Sequence, residues 1–427
     1  MSSVRITGDG ANHRARLCGL PAVLETLSER HRAGLEAGRA PVAHLVRAAV
    51  AHVDAQVANP ASLQRSLAGD LVHTTVRPAL IRYRDFLVRE VLPRSRGPQH
   101  AGLCWLPDGE AFYRTAIRRY TTTDRDAEAV HRAGLTAVAA LADEYREIGS
   151  RVFGTADLTE IFARLRGDPA LRWESGADLR AVAEQVVRRA EAVAPKWFRT
   201  LPGQACAVEE QPSAVSPTTP PYYLKGSADG ARPGTYFVNS QRLSEKLRSR
   251  IEASAFHEAV PGHHLEIASG QSRGELPLLR TTAGLSAFAE GWAVYAERLA
   301  DEMGLYSGDV ARLGMLEMES RRAGRLVADT GLHARGWSRG DAVRYLRRHT
   351  PMTLGEVESE TDRYLSVPGQ GLAYLTGKLE IQRLRTKAET ALGPHFDVRD
   401  FHEALLRNGR LPLTTLAREI EGWLASV

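Results

Sequence analysis

The residues best suited to chemistry lie in one run, His257-Glu258-Ala259-Val260-Pro261-Gly262-His263-His264. Imidazoles and carboxylates at close spacing are donors for a divalent ion such as Zn²⁺, and a Glu directly after the first His is placed to act as general base. In the helical form of such a site the second His follows four residues later, on the same helix face. Here that position is Pro261, and the next histidines come only at 263 and 264. On an unbroken helix His263 would face elsewhere, whereas His264 would return to the His257 face about 10 Å further along the axis. Pro261-Gly262 should therefore kink or bulge the helix. With two residues absorbed in the bulge His263 takes the second position, and it is favoured over His264 as ligand.

A third ligand must come from another element. Glu290 sits in the apolar stretch Ala287-Phe288-Ala289-Glu290-Gly291-Trp292-Ala293. A lone Glu in such surroundings is ordinarily the partner of an Arg, but beside the histidine cluster the ligand reading prevails. Glu297, seven residues on, shares its helix face and is either an orienting group or a solvated residue. With these ligands one Zn²⁺ would leave a coordination position for water, although Mn²⁺, Co²⁺ or Fe²⁺ accept a similar donor set.

The elements that must position these groups read mostly as helix, with apolar residues three and four apart, as in Leu135, Val138, Ala142, Tyr145 and Ile148. The main interruption runs from Gln211 to Gly234, where Pro212, Pro217, Pro220, Pro221, Gly226, Gly230, Pro233 and Gly234 exclude helix interiors. It reads as a long ordered loop or a boundary. Thr235-Tyr236-Phe237-Val238-Asn239 then reads as a strand. The expected fold is mainly α with a small β element near the cleft.

Composition narrows the class. Of 427 residues, 43% are hydrophobic and 25% charged, as in ordinary globular chains. The formal charge of +5 is spread along helices, and five lysines against 51 arginines read as compositional bias, so nucleic acid is not an expected partner. No signal-like or membrane-spanning apolar run is found, which makes no membrane and a cytoplasmic location the expectations. Cys18, Cys104 and Cys206 read as reduced core thiols.

His257-Glu258-x-x-Pro261-Gly262-His263-His264 and Glu290-Gly291-Trp292-Ala293 resemble the DUF885 family, whose members look like zinc-dependent peptidases. The likeness extends to Tyr120-Thr121-Thr122-Thr123, Asp229-Gly230-x-Arg232-Pro233-Gly234, Arg325-Leu326-Val327-x-Asp329-Thr330-Gly331-x-His333, Pro368-Gly369-Gln370 and Leu406-x-Asn408-Gly409-x-Leu411-Pro412-Leu413. These blocks cover roughly residues 100 to 427. Residues 1–98 read as a helical segment unmatched to the family, joined to a family-like region at 99–427 in one compact unit.

The resemblance implies a zincin-like helical metallopeptidase architecture and hydrolysis of a peptide or other amide bond, with Glu258 as base. A further donor to the oxyanion is expected from His333 or Tyr374. Arg325 and Arg232 are candidates to hold a substrate carboxylate, and the strand carrying Tyr236 is a candidate to pair with an extended peptide. Two other readings stand beside this one: a scaffold adapted to a biosynthetic step on a small amide or amino acid conjugate, and a non-catalytic metal-bearing binding protein. Neither the exact substrate nor the oligomeric state leaves a trace in the residues.

Overall fold

Several helices in this chain begin where side chains supply the acceptors that the first turn lacks. Asp126 accepts from the Ala129 N–H at 2.7 Å to open the helix Ala127–Phe153, and Ser175 accepts from the Asp178 N–H at 3.1 Å to open Gly176–Val193. The structure is a computed structural model and describes residues 10–59, 69–212, 219–227, 230–272, 280 and 284–427. Pro217 and Asp229 lie outside the described residues. The chain is mainly helical with one small three-stranded sheet. Among the described residues no helix is long and apolar enough to cross a membrane.

Two units are distinguished. The first comprises Met1–Ala111 with Leu332–Asp341, so the boundary expected at residue 98 falls inside it. Its helices Gly10–Glu36, Ala43–Ala58 and Arg77–Phe86 bury Leu35, Val46, Phe86, Leu87 and Val91 together. Gly102 lies against the carbonyl of Leu332, where a Cβ would approach to 1.7 Å and only glycine fits.

The second unit comprises Phe112–Gly331 with Ala342–Val427 and holds the sheet. Strand β1 (Ala207–Glu210) runs parallel to β3 (Thr235–Val238), and β2 (Tyr222–Leu224) runs antiparallel to it, in the order β1-β3-β2. The strand read from sequence is thus the central one, with both edges already paired. It cannot add a peptide strand, and the edge positions fall to β1 and β2. Strand β2 lies within the Pro-rich stretch that reads as loop, because three residues between Pro221 and Gly226 are too short to show an alternation.

The helix Ser286–Glu302 is buried almost all round, with Ala287, Phe288, Trp292, Ala293, Ala296, Leu299 and Ala300 fully enclosed. It crosses Ala373–Leu392 at Gly291 and Gly377, where a Cβ on Gly291 would lie 2.5 Å from the Gly377 Cα. This contact of backbone with backbone leaves no room for the smallest side chain. All three cysteines are free, but only Cys206 is buried; Cys18 and Cys104 are exposed and are not the core thiols expected.

Candidate metal centre

The motif helix does not kink or bulge; it stops. Arg250–Glu258 ends at Glu258, the chain turns through Ala259, Val260, Pro261 and Gly262, and a second helix starts at His263 and runs to Ser272. Proline cannot continue a helix, and Gly262 passes so close to the first helix that a Cβ there would lie 1.9 Å from the His257 carbonyl. The turn is fastened from outside by Trp292, whose indole N–H reaches the carbonyls of Pro261 at 3.0 Å and Gly262 at 3.3 Å. The two family-like segments are therefore one construction, Glu-Gly-Trp holding the turn that aims the histidines.

The restart brings the rings of His257 and His263 to 4.9 Å between centroids, nearly perpendicular at 82°. Nε2 of each faces the same oxygen, Glu290 Oε2, at 3.5 Å and 3.8 Å. These distances are too long for hydrogen bonds. They suit a shared ion, since two donors at 2.0–2.1 Å from a tetrahedral centre stand about 3.3 Å apart. One ligand atom from each of His257, His263 and Glu290 can be chosen so that all lie within 4.8 Å of one another.

His264 points elsewhere. Its Nε2 lies 3.0 Å from the Gln204 carbonyl and must donate, so Nδ1 accepts from the Tyr223 hydroxyl at 3.0 Å. Burial lowers its pKa, in keeping with a neutral ring that ties β2 to the segment before β1. Of the adjacent histidines, His263 is the one that faces His257 and Glu290.

Glu297 is the orienting group and not a solvated residue. Its Oε1 accepts from His257 Nδ1 at 2.7 Å, which leaves Nε2 for the ion. Arg322 in turn donates to Glu297 at 2.7 Å and 2.9 Å, and both side chains are buried. Arg322 also lies 3.2 Å from His257 Nδ1, but that nitrogen carries the proton given to Glu297, so the guanidinium serves the carboxylate.

The electrostatics follow from this packing. Burial disfavours charge on His257, yet Glu290 and Glu297 outweigh it and raise the imidazole to about 9. Burial likewise opposes charge on Glu290, and the two imidazoles overcome it, holding the carboxylate well below its ordinary range. Burial raises the pKa of Glu258, as a general base requires, while His257, His263 and the backbone N–H of Tyr223 pull the other way. Tyr223 lies on edge strand β2, opposite Tyr236 of β3, and its backbone N–H is among the groups that favour the ionised form of Glu258.

The remaining sequence candidates are placed differently. His333 belongs to the first unit, where its Nδ1 accepts from the Leu103 backbone N–H at 3.1 Å. Arg325 pairs with Glu360 at 2.8 Å and 3.1 Å, lies over the ring of Tyr374 at 4.8 Å and is only 9% exposed, and that burial closes it to a substrate carboxylate. Tyr374, half-buried, is correspondingly the floor under Arg325. Tyr236 is fully buried with its hydroxyl 2.8 Å from Ser254, which makes it a brace for the His257 helix and not a substrate contact. Arg232 is exposed on the loop before β3, close enough to Tyr223 to act on its phenol. Sequence reasoning missed Arg322 and Tyr223, whose roles exist only through tertiary partners.

Relatives agree with the geometry at the level of fold. No curated protein matches the chain. A solved structure of a “putative lipoprotein” from Colwellia psychrerythraea is 28% identical, with a TM-score of 0.88 over 97% of this chain and 76% of that one. A second, a “putative lipoprotein of unknown function” from Shewanella oneidensis, is 18% identical with a TM-score of 0.74 over 95% and 77%. The DUF885 family model, described as a bacterial protein of unknown function, matches residues 3–420 and so takes in the amino-terminal helices that carry no legible motif. The chain belongs to the DUF885 family.

Proposed function

We propose that the protein is a zinc-dependent hydrolase of zincin-like design that cleaves a peptide or other amide bond. The observation that carries this reading is the convergence of His257, His263 and Glu290, with Glu258 beside them and His257 fixed by Glu297. The donor set fits the ion by type and spacing. When bound, a divalent ion there would supply a Lewis acid that acidifies water and polarises a carbonyl.

The residues of the chain do the rest. Glu258 takes a proton from the attacking water and delivers it to the leaving nitrogen, for which its raised pKa suits it. Glu297 and Arg322 hold the His257 ring in one orientation through the cycle. The backbone N–H of Tyr223 on β2 favours the ionised form of Glu258.

The test is peptide hydrolysis by zinc-loaded protein and its Glu258→Gln variant. Zinc retained with turnover lost supports the role of Glu258; full turnover in the variant overturns it.

A further inference from the structure

The helix His263–Ser272 carries a second acidic group on the ligand's face. Glu266, three residues after His263, is buried and lies about one turn along. Arg410 pairs with it side-on, Nε to Oε1 and Nη2 to Oε2, both at 2.9 Å. The guanidinium is therefore anchored to the helix that begins with the ligand His263, near enough to Glu290 for that carboxylate to act on its charge.

The arginine is mounted rigidly. Gly409, with φ of +65°, makes the turn that presents it. Asn408 on one side donates to Glu419 at 2.8 Å, and Leu413 beyond donates its backbone N–H to Thr122 at 2.8 Å. Pairing through Nε and Nη2 uses one edge of the guanidinium and leaves Nη1 with no protein acceptor among the described residues. Nη1 is not a sealed, unsatisfied atom, and the side chain as a whole is 25% exposed. Arg325, which makes the same side-on pair with Glu360, differs in being only 9% exposed and covered by the ring of Tyr374.

We infer that Arg410 is the receptor for a substrate carboxylate next to the scissile bond, and that the substrates are amides of amino acids or peptides bearing a free carboxylate there. Glu266 is its positioning residue. The free edge offers paired N–H donors of the geometry a carboxylate accepts, prepaid in orientation by the buried Glu266. This inference rests on the hydrolase reading for the bond cleaved, but its test does not need turnover.

The probes are N-acetyl-phenylalanine and its carboxamide, titrated calorimetrically into zinc-loaded Glu258→Gln protein. The same background carrying Glu266→Met with Arg410→Met removes both charges together, so that no buried Glu266 is stranded. Zinc affinity is measured for each protein. The free acid should bind at least tenfold more tightly than the amide, and the paired substitution should erase that ratio with zinc affinity unchanged. Equal binding of acid and amide, failure of both to bind, or a ratio that survives the paired substitution overturns the inference. Separately, hydrolysis of acid and amide substrates by protein with an intact Glu258 is compared with and without the paired substitution. An equal loss for both substrates would assign Arg410 to the transition state and also overturn it. Absence of hydrolysis by the unaltered protein would refute the hydrolase reading while leaving the binding ratio to stand or fall alone.

Discussion

Replacing Glu297 by Gln separates orientation of a ligand from ligation itself. The side chains of Glu297 and Arg322 are 2% and 6% exposed, and they meet at 2.7 Å and 2.9 Å. Gln keeps the volume but removes the charge, leaving a buried guanidinium against a neutral amide at a cost of about 3–5 kcal/mol in stability. The His257 ring loses the carboxylate that fixes its Nδ1 proton, and losses at such positions run to about 10–100-fold in metal affinity, or about 1.4–2.7 kcal/mol. Zinc affinity is read by competition with a chromophoric chelator, and stability by urea denaturation of metal-free protein. A double variant, Glu297→Met with Arg322→Met, removes both charges and should regain most of the stability without regaining zinc affinity. A folded Glu297→Gln protein with unaltered zinc affinity would refute the orienting role.

His263→Ala should abolish stoichiometric zinc binding, whereas His264→Ala should keep one zinc and lose about 0.5–1.5 kcal/mol as the half-buried Tyr223 hydroxyl loses its hydrogen bond; native mass spectrometry and denaturation read the two effects, and the reverse pattern would reassign the ligand. Asp329 is fully buried, and despite donors from Tyr113 and Gly369 burial pushes it up to about 7 from an ordinary 3.8. Between those values the folded chain holds a proton that the unfolded chain has released, so stability should fall as pH rises from about 4 to 7, by up to about 4 kcal/mol, and level off above. Asp329→Asn should flatten that slope in denaturation midpoints taken across the range, and an unchanged slope would place the titration elsewhere.

Much of this arrangement can be read from the chain because the relevant signals are local. The ligand types, the breaking power of Pro261-Gly262 and the same-face spacing of Glu290 and Glu297 are all sequence properties. What the break does is not local: Trp292, thirty residues away, fastens the turn that is formed. Periodicity also misjudges faces where packing decides them. Leu135 fits an apolar stripe yet is 43% exposed, while Gly134 one residue earlier lies against Leu326 and Val327. Strands β1 and β2 escape notice because Ala-Val-Glu-Glu and Tyr-Tyr-Leu are too short to carry a period of two, and only the largely buried β3 carries a continuous β-branched and aromatic run. Arginines are the least legible residues, since Arg322, Arg325 and Arg410 look alike among 51 and differ only in what they meet.

Anomalous scattering at the zinc edge from crystals of metal-loaded protein tests the metal centre most directly. One ion is expected, with His257 Nε2 and His263 Nε2 at about 2.0–2.1 Å and Glu290 oxygen at about 2.0–2.2 Å, and with His264 still on Tyr223. An ion bound by His264, a sulfur ligand from Cys206 at about 2.3 Å, or no ion at these three residues would contradict the site from which the proposed chemistry follows.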